Sequence, residues 1–295
     1  MSLLPFRRRG DRTSALEWST GCGIEAEAVC SSYGDTRVLH DVTACFAQGG
    51  VTSLIGPNGA GKSTLLGVMS RLQQADSGQV RVDGVDVSVN GGRELARRLA
   101  VLRQENAVSI RLTVRELVAF GRFPHNGGRP TAGDAEHIDY AMAAMELEGF
   151  ADRYLDELSG GQRQRAHIAM VLAQDTDYVL LDEPLNNLDL RHATSIMRLL
   201  RRTAAERGKT IVLVIHDINI AAAYSDRIIA MKDGVIVADG TPGEIMRTEV
   251  LRLVYDMEMQ VAEVAGRYVA LYFDGEDELT DHQTVSDRRT VLFTA

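Results

Sequence analysis

The sequence has little cysteine, no apolar run of membrane length and no excess of positive charge. Its three cysteines, Cys22, Cys30 and Cys45, are odd in number and include no C-x-x-C pair. That count predicts neither a disulfide framework nor a zinc site, and it fits a reducing compartment. The longest strong apolar run, IVLVI at 211–215, is strand-sized, whereas a helix needs roughly 20 apolar residues to cross a bilayer. At the N-terminus, MSLLPFRRRGDR places its basic residues after the short apolar stretch, the reverse of a secretory signal. A formal net charge of -9 argues against general nucleic-acid binding, which needs a basic face to displace counterions from phosphates. Membrane contact is therefore expected through a partner or at the surface.

What the chain does contain suits a folded α/β protein. Its 295 residues, 45% hydrophobic and 25% charged, allow a buried core in one large or two modest domains. Residues 1–23 lack periodicity and are expected to form a flexible tail, with Arg7, Arg8 and Arg9 as a solvated charge run. Over 24–55, alternating segments such as HDVTACF predict strands, and the last of them is the apolar VTSLI. QVRVDGVDV reads as a hairpin turning at Asp83 and Gly84, and RIIAMKDGVIVADG as another turning at Asp233 and Gly234. From about 105 to 154 the pattern becomes helical in TVRELVAFG and GDAEHIDYAMAAMELEGF, with FPHNGGRP breaking it between them. Apolar strands return in YVLLDE and TIVLVIH, and their alternation with helical stretches predicts a parallel sheet covered by helices. Residues 259–273 offer one more hairpin ahead of a polar, acidic end, and no internal repeat is present.

Chemistry enters first at GPNGAGKST, 56–64, which fits G-x-x-x-x-G-K-[ST] between an apolar strand and the helical run KSTLLGVMSRL. Gly56, Gly59 and Gly61, spaced by Pro57, Asn58 and Ala60, let backbone N–H groups converge on phosphates, and the helix start at Lys62 to Thr64 adds partial positive charge. Lys62 is expected to contact the outer phosphates and Ser63 to ligate Mg2+. A plain glycine-rich turn is the alternative, and the strand and helix on either side weigh against it.

In YVLLDEP a buried strand delivers two adjacent carboxylates to its C-terminal end, where ligands bind in open parallel sheets. Alternation points them in different directions. Asp182 is expected to hold Mg2+, directly or through water, and Glu183 to polarise an attacking water; taken alone, either acid serves equally well as a cap. Gln104 closes the strand-like AVLRQ, in a position to sense the metal or the water. His216 closes TIVLVIH and is placed to donate to a terminal phosphate oxygen or to the water, although a strand-end histidine is more often a surface residue.

A second phosphate-cradle composition appears in LSGGQRQRAHIAM, 158–170, without a lysine. Ser159 and the helix beginning near Gly160 present a hydroxyl, N–H groups and a positive dipole end. The plainer reading makes Ser159 an N-cap, Gly160 and Gly161 a turn, and Ile168, Val171 and Leu172 the buried stripe. Both readings are compatible.

Over about 24–255 these motifs together resemble the ATP-binding cassette family, the ATPase subunits of ABC transporters. GPNGAGKST resembles its Walker A motif, LSGGQ with Gln162 its signature, YVLLDEP its Walker B strand, His216 its switch histidine and Gln104 its Q-loop glutamine. Tyr33 matches the aromatic that stacks on adenine, and Asp189 in LNNLDL the D-loop aspartate, although Leu185, Asn186 and Asn187 depart from the commoner T-x-x-L-D wording. The resemblance implies an α/β P-loop NTPase core with a parallel sheet, an N-terminal antiparallel β subdomain and a helical signature subdomain at about 105–175, within an ATPase domain of 24–258. A C-terminal hairpin and polar tail would occupy 259–295. It implies ATP and Mg2+, and a second copy bound head to tail so that each signature closes over the other's nucleotide. It further implies two integral-membrane permease subunits, an extracytoplasmic siderophore-binding protein, no nucleic acid, and a peripheral place at the cytoplasmic face of the membrane. The wording around these motifs is most similar to the ATPases of bacterial iron-siderophore importers, with cobalamin and haem importers as near relatives. A soluble clamp on ribosomes or DNA fits less well with single motifs, no sustained heptads and an acidic balance, and a P-loop kinase or GTPase leaves LSGGQ unexplained.

Overall fold

VTSLI, YVLLD and TIVLV are buried along their whole lengths, as strands in the middle of a parallel sheet with two covered faces must be. The computed structural model describes residues 21–89, 91–104 and 110–272. The N-terminal segment with Arg7, Arg8 and Arg9, residues 105–109 and the acidic end after Asp274 lie outside the described residues. In chain order the structure has β1 (Cys22–Tyr33), β2 (Thr36–Ala47), β3 (Gly50–Ile55), α1 (Lys62–Met69), β4 (Ser77–Val82) and β5 (Val85–Asp86). Then come α2 (Gly92–Arg98), β6 (Leu99–Leu102), α3 (Val114–Phe120), α4 (Phe123–Asn126), α5 (Ala132–Ala144) and, after two short 3-10 turns, α6 (Gly160–Ala173). The remainder holds β7 (Tyr178–Asp182), α7 (Leu190–Arg207), β8 (Thr210–Val214), α8 (Ile218–Tyr224), β9 (Arg227–Lys232) and β10 (Val235–Gly240). It closes with α9 (Pro242–Ile245), α10 (Thr248–Tyr255), β11 (Gln260–Val264) and β12 (Arg267–Leu271).

The six-stranded sheet has the order β10-β9-β3-β8-β7-β6, all parallel except β10. Its pleat sorts the side chains into two cores. Val51, Ile55, Val179, Leu181, Ile211 and Leu213 face the core shared with α3, α5, α6 and α7. Leu54, Leu180, Val212, Val214 and Met231 face the core shared with α1 and the antiparallel sheet β2-β1-β4-β5. Both Asp-Gly turns form as the sequence predicts, with positive φ at Asp83 (51°), Gly84 (74°), Asp233 (48°) and Gly234 (74°). Tyr178 Oη donates to Asp83 Oδ1, which fastens the first of these turns to the start of β7.

Three expectations need correction. The sulfurs of Cys22 and Cys45 are joined, with Cα atoms 5.7 Å apart, so a disulfide is present where none was predicted. Antiparallel pairing of β1 with β2 brings together two residues 23 positions apart, which spacing in the sequence does not reveal. The cysteine count therefore no longer argues for a reducing compartment, and Cys30 remains a buried free thiol. Next, FPHN is not a break but the helix α4. Pro124 lies in its first turn, where a missing N–H costs nothing, and Arg93 and Arg97 cap its end by donating to Pro124 O at 3.0 and 2.9 Å. Finally, α1 stops at Met69, short of the helical run read through Leu72; Arg71 has φ of 59°.

The helices α3, α5 and α6 pack against one another around an ion pair. Arg122 Nε lies 2.8 Å from Asp134 Oδ1, both residues are buried, and Arg122 also donates to Ala173 O at 2.9 Å. The Arg122 guanidinium, with donors from Thr131 and Asn126, holds the Asp134 carboxyl well below the usual carboxylate range. A depressed folded-state pKa stabilises above the ordinary range and loses that contribution as the pH falls through it. Asp134→Ala, which strands a buried guanidinium, is expected to cost about 3 to 5 kcal/mol in urea unfolding at neutral pH. The gap should narrow below the ordinary carboxylate range, and equal midpoints at neutral pH would refute this role for the pair.

Candidate functional site

The carboxyl ends of β3, β7 and β8 lie on one edge of the sheet because the strands are parallel and paired, Leu54 with Val214 and Val214 with Asp182. The loop that leaves β3 there is forced to begin with glycine. Gly56 has φ of 139°, and an added Cβ would stand 2.0 Å from Met231 O. The loop then turns through Gly61, with φ of 92°, into α1. Asn58, Gly59, Ala60, Gly61, Lys62, Ser63 and Thr64 line a cavity of about 530 Å3, completed by Tyr33, Val38, Gln104, Glu183 and His216. Lys62 is buried and donates from Nζ to the carbonyls of Gly56 and Pro57, 2.8 Å each. Burial lowers its pKa, and the carboxylates of Glu183 and Asp182 oppose that shift.

Asp182 ends β7 and accepts from Ser63 Oγ at 2.8 Å. Burial raises its pKa, the Ser63 hydrogen bond counters this, the charge of Glu183 adds to it and the charge of Lys62 offsets it. It lies behind Ser63, on an adjoining cavity shared with Tyr33, Ser63 and Gln104. Glu183 follows with φ of 49°, a left-handed conformation that is costly for a side chain with a Cβ. Its N–H donates to Val214 O at 3.2 Å, which anchors the turn. Its carboxylate meets His216 Nε2 at 2.6 Å on Oε1 and Gln104 Nε2 at 2.9 Å on Oε2. Five residues predicted separately, Ser63 from the loop and Gln104, Asp182, Glu183 and His216 from at or just beyond the ends of β6, β7 and β8, are thus gathered within one constellation. Tyr33 stands exposed at the mouth and donates from Oη to Gln73 Oε1 at 2.6 Å, which fixes its ring.

The signature residues are not part of this cavity. Ser159 caps α6: its Oγ accepts from Gln162 N at 3.3 Å, and Gln162 Oε1 accepts from Ser159 N at 3.0 Å. Gly160 and Gly161 pack against Asn187, and Asp189 caps α7 by accepting from His192 N at 2.8 Å. Within one chain the capping reading of Ser159 therefore holds. The buried stripe of α6 includes Ile168 and Val171, with Leu172 half-buried, and it extends to Arg165 and His167. Sequence reasoning missed Asn186, whose Nδ2 lies 2.5 Å from Glu183 Oε2. A short polar side chain three residues after the acid, in a turn, was the available signal. Val38 also lines the cavity, and nothing in its type or spacing announced it.

A family model described as ABC transporter matches residues 39–186. The chain belongs to the ABC transporter family. ATP hydrolysis is the activity that accompanies this membership. The cassette is 51% identical over 250 residues to the petrobactin import ATP-binding protein YclP of Bacillus subtilis (strain 168), an alignment covering 85% of this chain and 99% of that one. It is 40% identical over 240 residues to the iron(3+)-hydroxamate import ATP-binding protein FhuC of the same organism, covering 81% and 89% respectively. Among solved structures it is similar to a dimeric bacterial ABC transporter cassette, with a TM-score of 0.68, 31% identity, and coverage of 74% of this chain and 98% of that one.

Gly56→Ala tests the cradle directly, because the added Cβ must displace the Met231 carbonyl. The variant is expected to melt several degrees lower and to bind a fluorescent ATP analogue more weakly by about 10-fold or more. Native melting and binding in this variant would show that the close approach is not required.

Proposed function

We propose that this cassette drives the uptake of a ferric siderophore, and that it does so as one of two copies joined head to tail. The observation that carries the ATPase half of this reading is the enclosure of Glu183 between His216 and Gln104 beside the loop of Lys62 and Ser63. The cargo half draws on the relatives, whose names specify petrobactin and iron(3+)-hydroxamate import. The working unit in this proposal spans 24–258 with a helical subdomain at about 105–175. It associates with two membrane permease subunits, supplied by an extracytoplasmic siderophore-binding protein, and needs no nucleic acid. No helix among the described residues is long and apolar enough to cross a membrane, so attachment at the cytoplasmic face would be made through the permeases.

In this mechanism Tyr33 stacks on the adenine, and the backbone N–H groups of 58–64 receive the phosphate oxygens. Lys62, tethered in this structure to two backbone carbonyls, transfers its donors to the outer phosphates. Ser63 Oγ and Asp182 Oδ1 are hard oxygens 2.8 Å apart, a donor set that suits Mg2+, which takes few protein ligands and completes its shell with water and phosphate. With Gln104 they would hold the ion, and its charge would neutralise the β and γ oxygens. Glu183 orients a water and accepts its proton as the water oxygen bonds to the γ phosphorus and the bond to the ADP oxygen breaks. His216 donates to the terminal phosphate or to the water. Ser159, Gly160, Gly161 and Gln162 of the partner copy close over the same phosphates, with Asp189 joining the two sites. Loss of the terminal phosphate then favours reopening.

Two variants separate the parts of this reading. Glu183→Gln should retain ATP binding and lose turnover by about 100-fold or more; a near-native kcat would remove Glu183 from the role of base. Ser159→Arg should spare ATP binding by the single chain and abolish the ATP-dependent dimer seen by light scattering of the Glu183→Gln protein. A dimer that persists would contradict the head-to-tail interface. Import of labelled ferric siderophore into cells carrying the matching permease tests the cargo, and energised uptake of a different chelate alone would sink that half.

A further inference from the structure

The turn after β7 contains a side chain with no part in the mechanism above. Asn186 donates from Nδ2 to Glu183 Oε2 at 2.5 Å, the same oxygen that accepts from Gln104 at 2.9 Å, while His216 Nε2 lies 2.6 Å from Oε1. A carboxylate offers about four lone-pair sites, and three of them here face side-chain nitrogens. Only 9% of the Glu183 side chain is exposed. Both sites of Oε2 are taken, by Gln104 and Asn186, so a water that is to be oriented by this oxygen and to hand it a proton reaches it only when one of the two withdraws.

Gln104 lines the nucleotide cavity, Glu183 and His216 line both it and a second pocket, and Asn186 lines only that second pocket, with Leu185, Leu188 and Ile220. The loop that carries it is fastened to the start of α6. Gln164 Nε2 donates to Pro184 O at 3.0 Å, and an added Cβ on Gly161 would stand 3.1 Å from Asn187 O. Contact this close transmits movement. A shift of the α6 N-terminus would therefore pull on this loop, against the hold of Asn186 N on Glu183 O at 3.3 Å.

We propose that Asn186 is a positioning residue that covers Glu183 Oε2 in the unpaired chain and withdraws when the loop 184–188 follows the α6 N-terminus, so that water gains this oxygen only in the paired state. The proposal rests on the reading in which that N-terminus meets the second copy's nucleotide. It makes the unpaired cassette a slow ATPase by blocking its base as well as by lacking its partner's signature.

The experiment measures steady-state ATP hydrolysis by the full chain at a concentration where gel filtration shows a monomer. Asn186→Ala is expected to raise the residual kcat by about 10- to 100-fold, the effect of removing one charge-assisted hydrogen bond, with KM for ATP unchanged. Asn186→Ser, a residue at home in turns whose hydroxyl stops one bond short of the amide nitrogen, is expected to do the same and substitutes if the alanine variant does not fold. In the Glu183→Gln background the Asn186 change should have no effect. A kcat at or below the native value in both single variants overturns the proposal, as does an acceleration that survives Glu183→Gln. If Glu183→Gln alone hydrolyses ATP at a near-native rate, the functional reading fails instead, so the two failures are distinguished within one assay.

Discussion

Because β3, β7 and β8 run parallel and in register, Ile55, Asp182 and Val214 finish together, and the loop of Lys62 and Ser63 is delivered to one edge with Asp182, Glu183 and His216. Each of these strands is buried on both faces. Sliding any one of them by a single residue would exchange its two faces between the cores and carry Lys62, Asp182 or His216 away from the others. The site is thus as well determined as the sheet beneath it. Its loops need little intrinsic rigidity, since Gly56 is trapped under Met231 O and Glu183 is tied by its N–H to Val214 O.

Burial also sets the electrostatics of that edge. Lys62 and Asp182 are drawn in opposite directions by the same cause, loss of solvent, and each is partly restored by the charge of the other. An ammonium held on two neutral carbonyls has donors ready to exchange for a stronger acceptor. That exchange costs less than stripping water from an exposed lysine, and it explains why the cradle is built from backbone and one cation.

In the proposed dimer the second half of the machinery is displayed elsewhere on the surface. Ser159 and Asp189 are both satisfied as helix caps in the isolated chain, so neither is wasted before a partner arrives. The loop 184–188 touches both halves, through Asn186 to Glu183 and through Asn187 to Gly160 and Gly161. This loop is therefore a direct structural link between Glu183 and the N-terminus of α6.

Much of this was written locally. GPNGAGKST, the Asp-Gly turns and the buried strand ending in Asp182 and Glu183 are each decided by neighbours in sequence, through glycine conformations, helix starts and period-two burial. These are short-range effects, so the residue order determined them. What tertiary structure alone decided is which separate segments meet: Cys22 beside Cys45, Gln73 behind Tyr33, FPHN stabilised as a helix by arginines from α2, and Gln104 on the carboxylate of Glu183. Those encounters depend on strand pairing and helix packing across tens of residues, and no local pattern encodes the distance between two segments that only the folded sheet brings together.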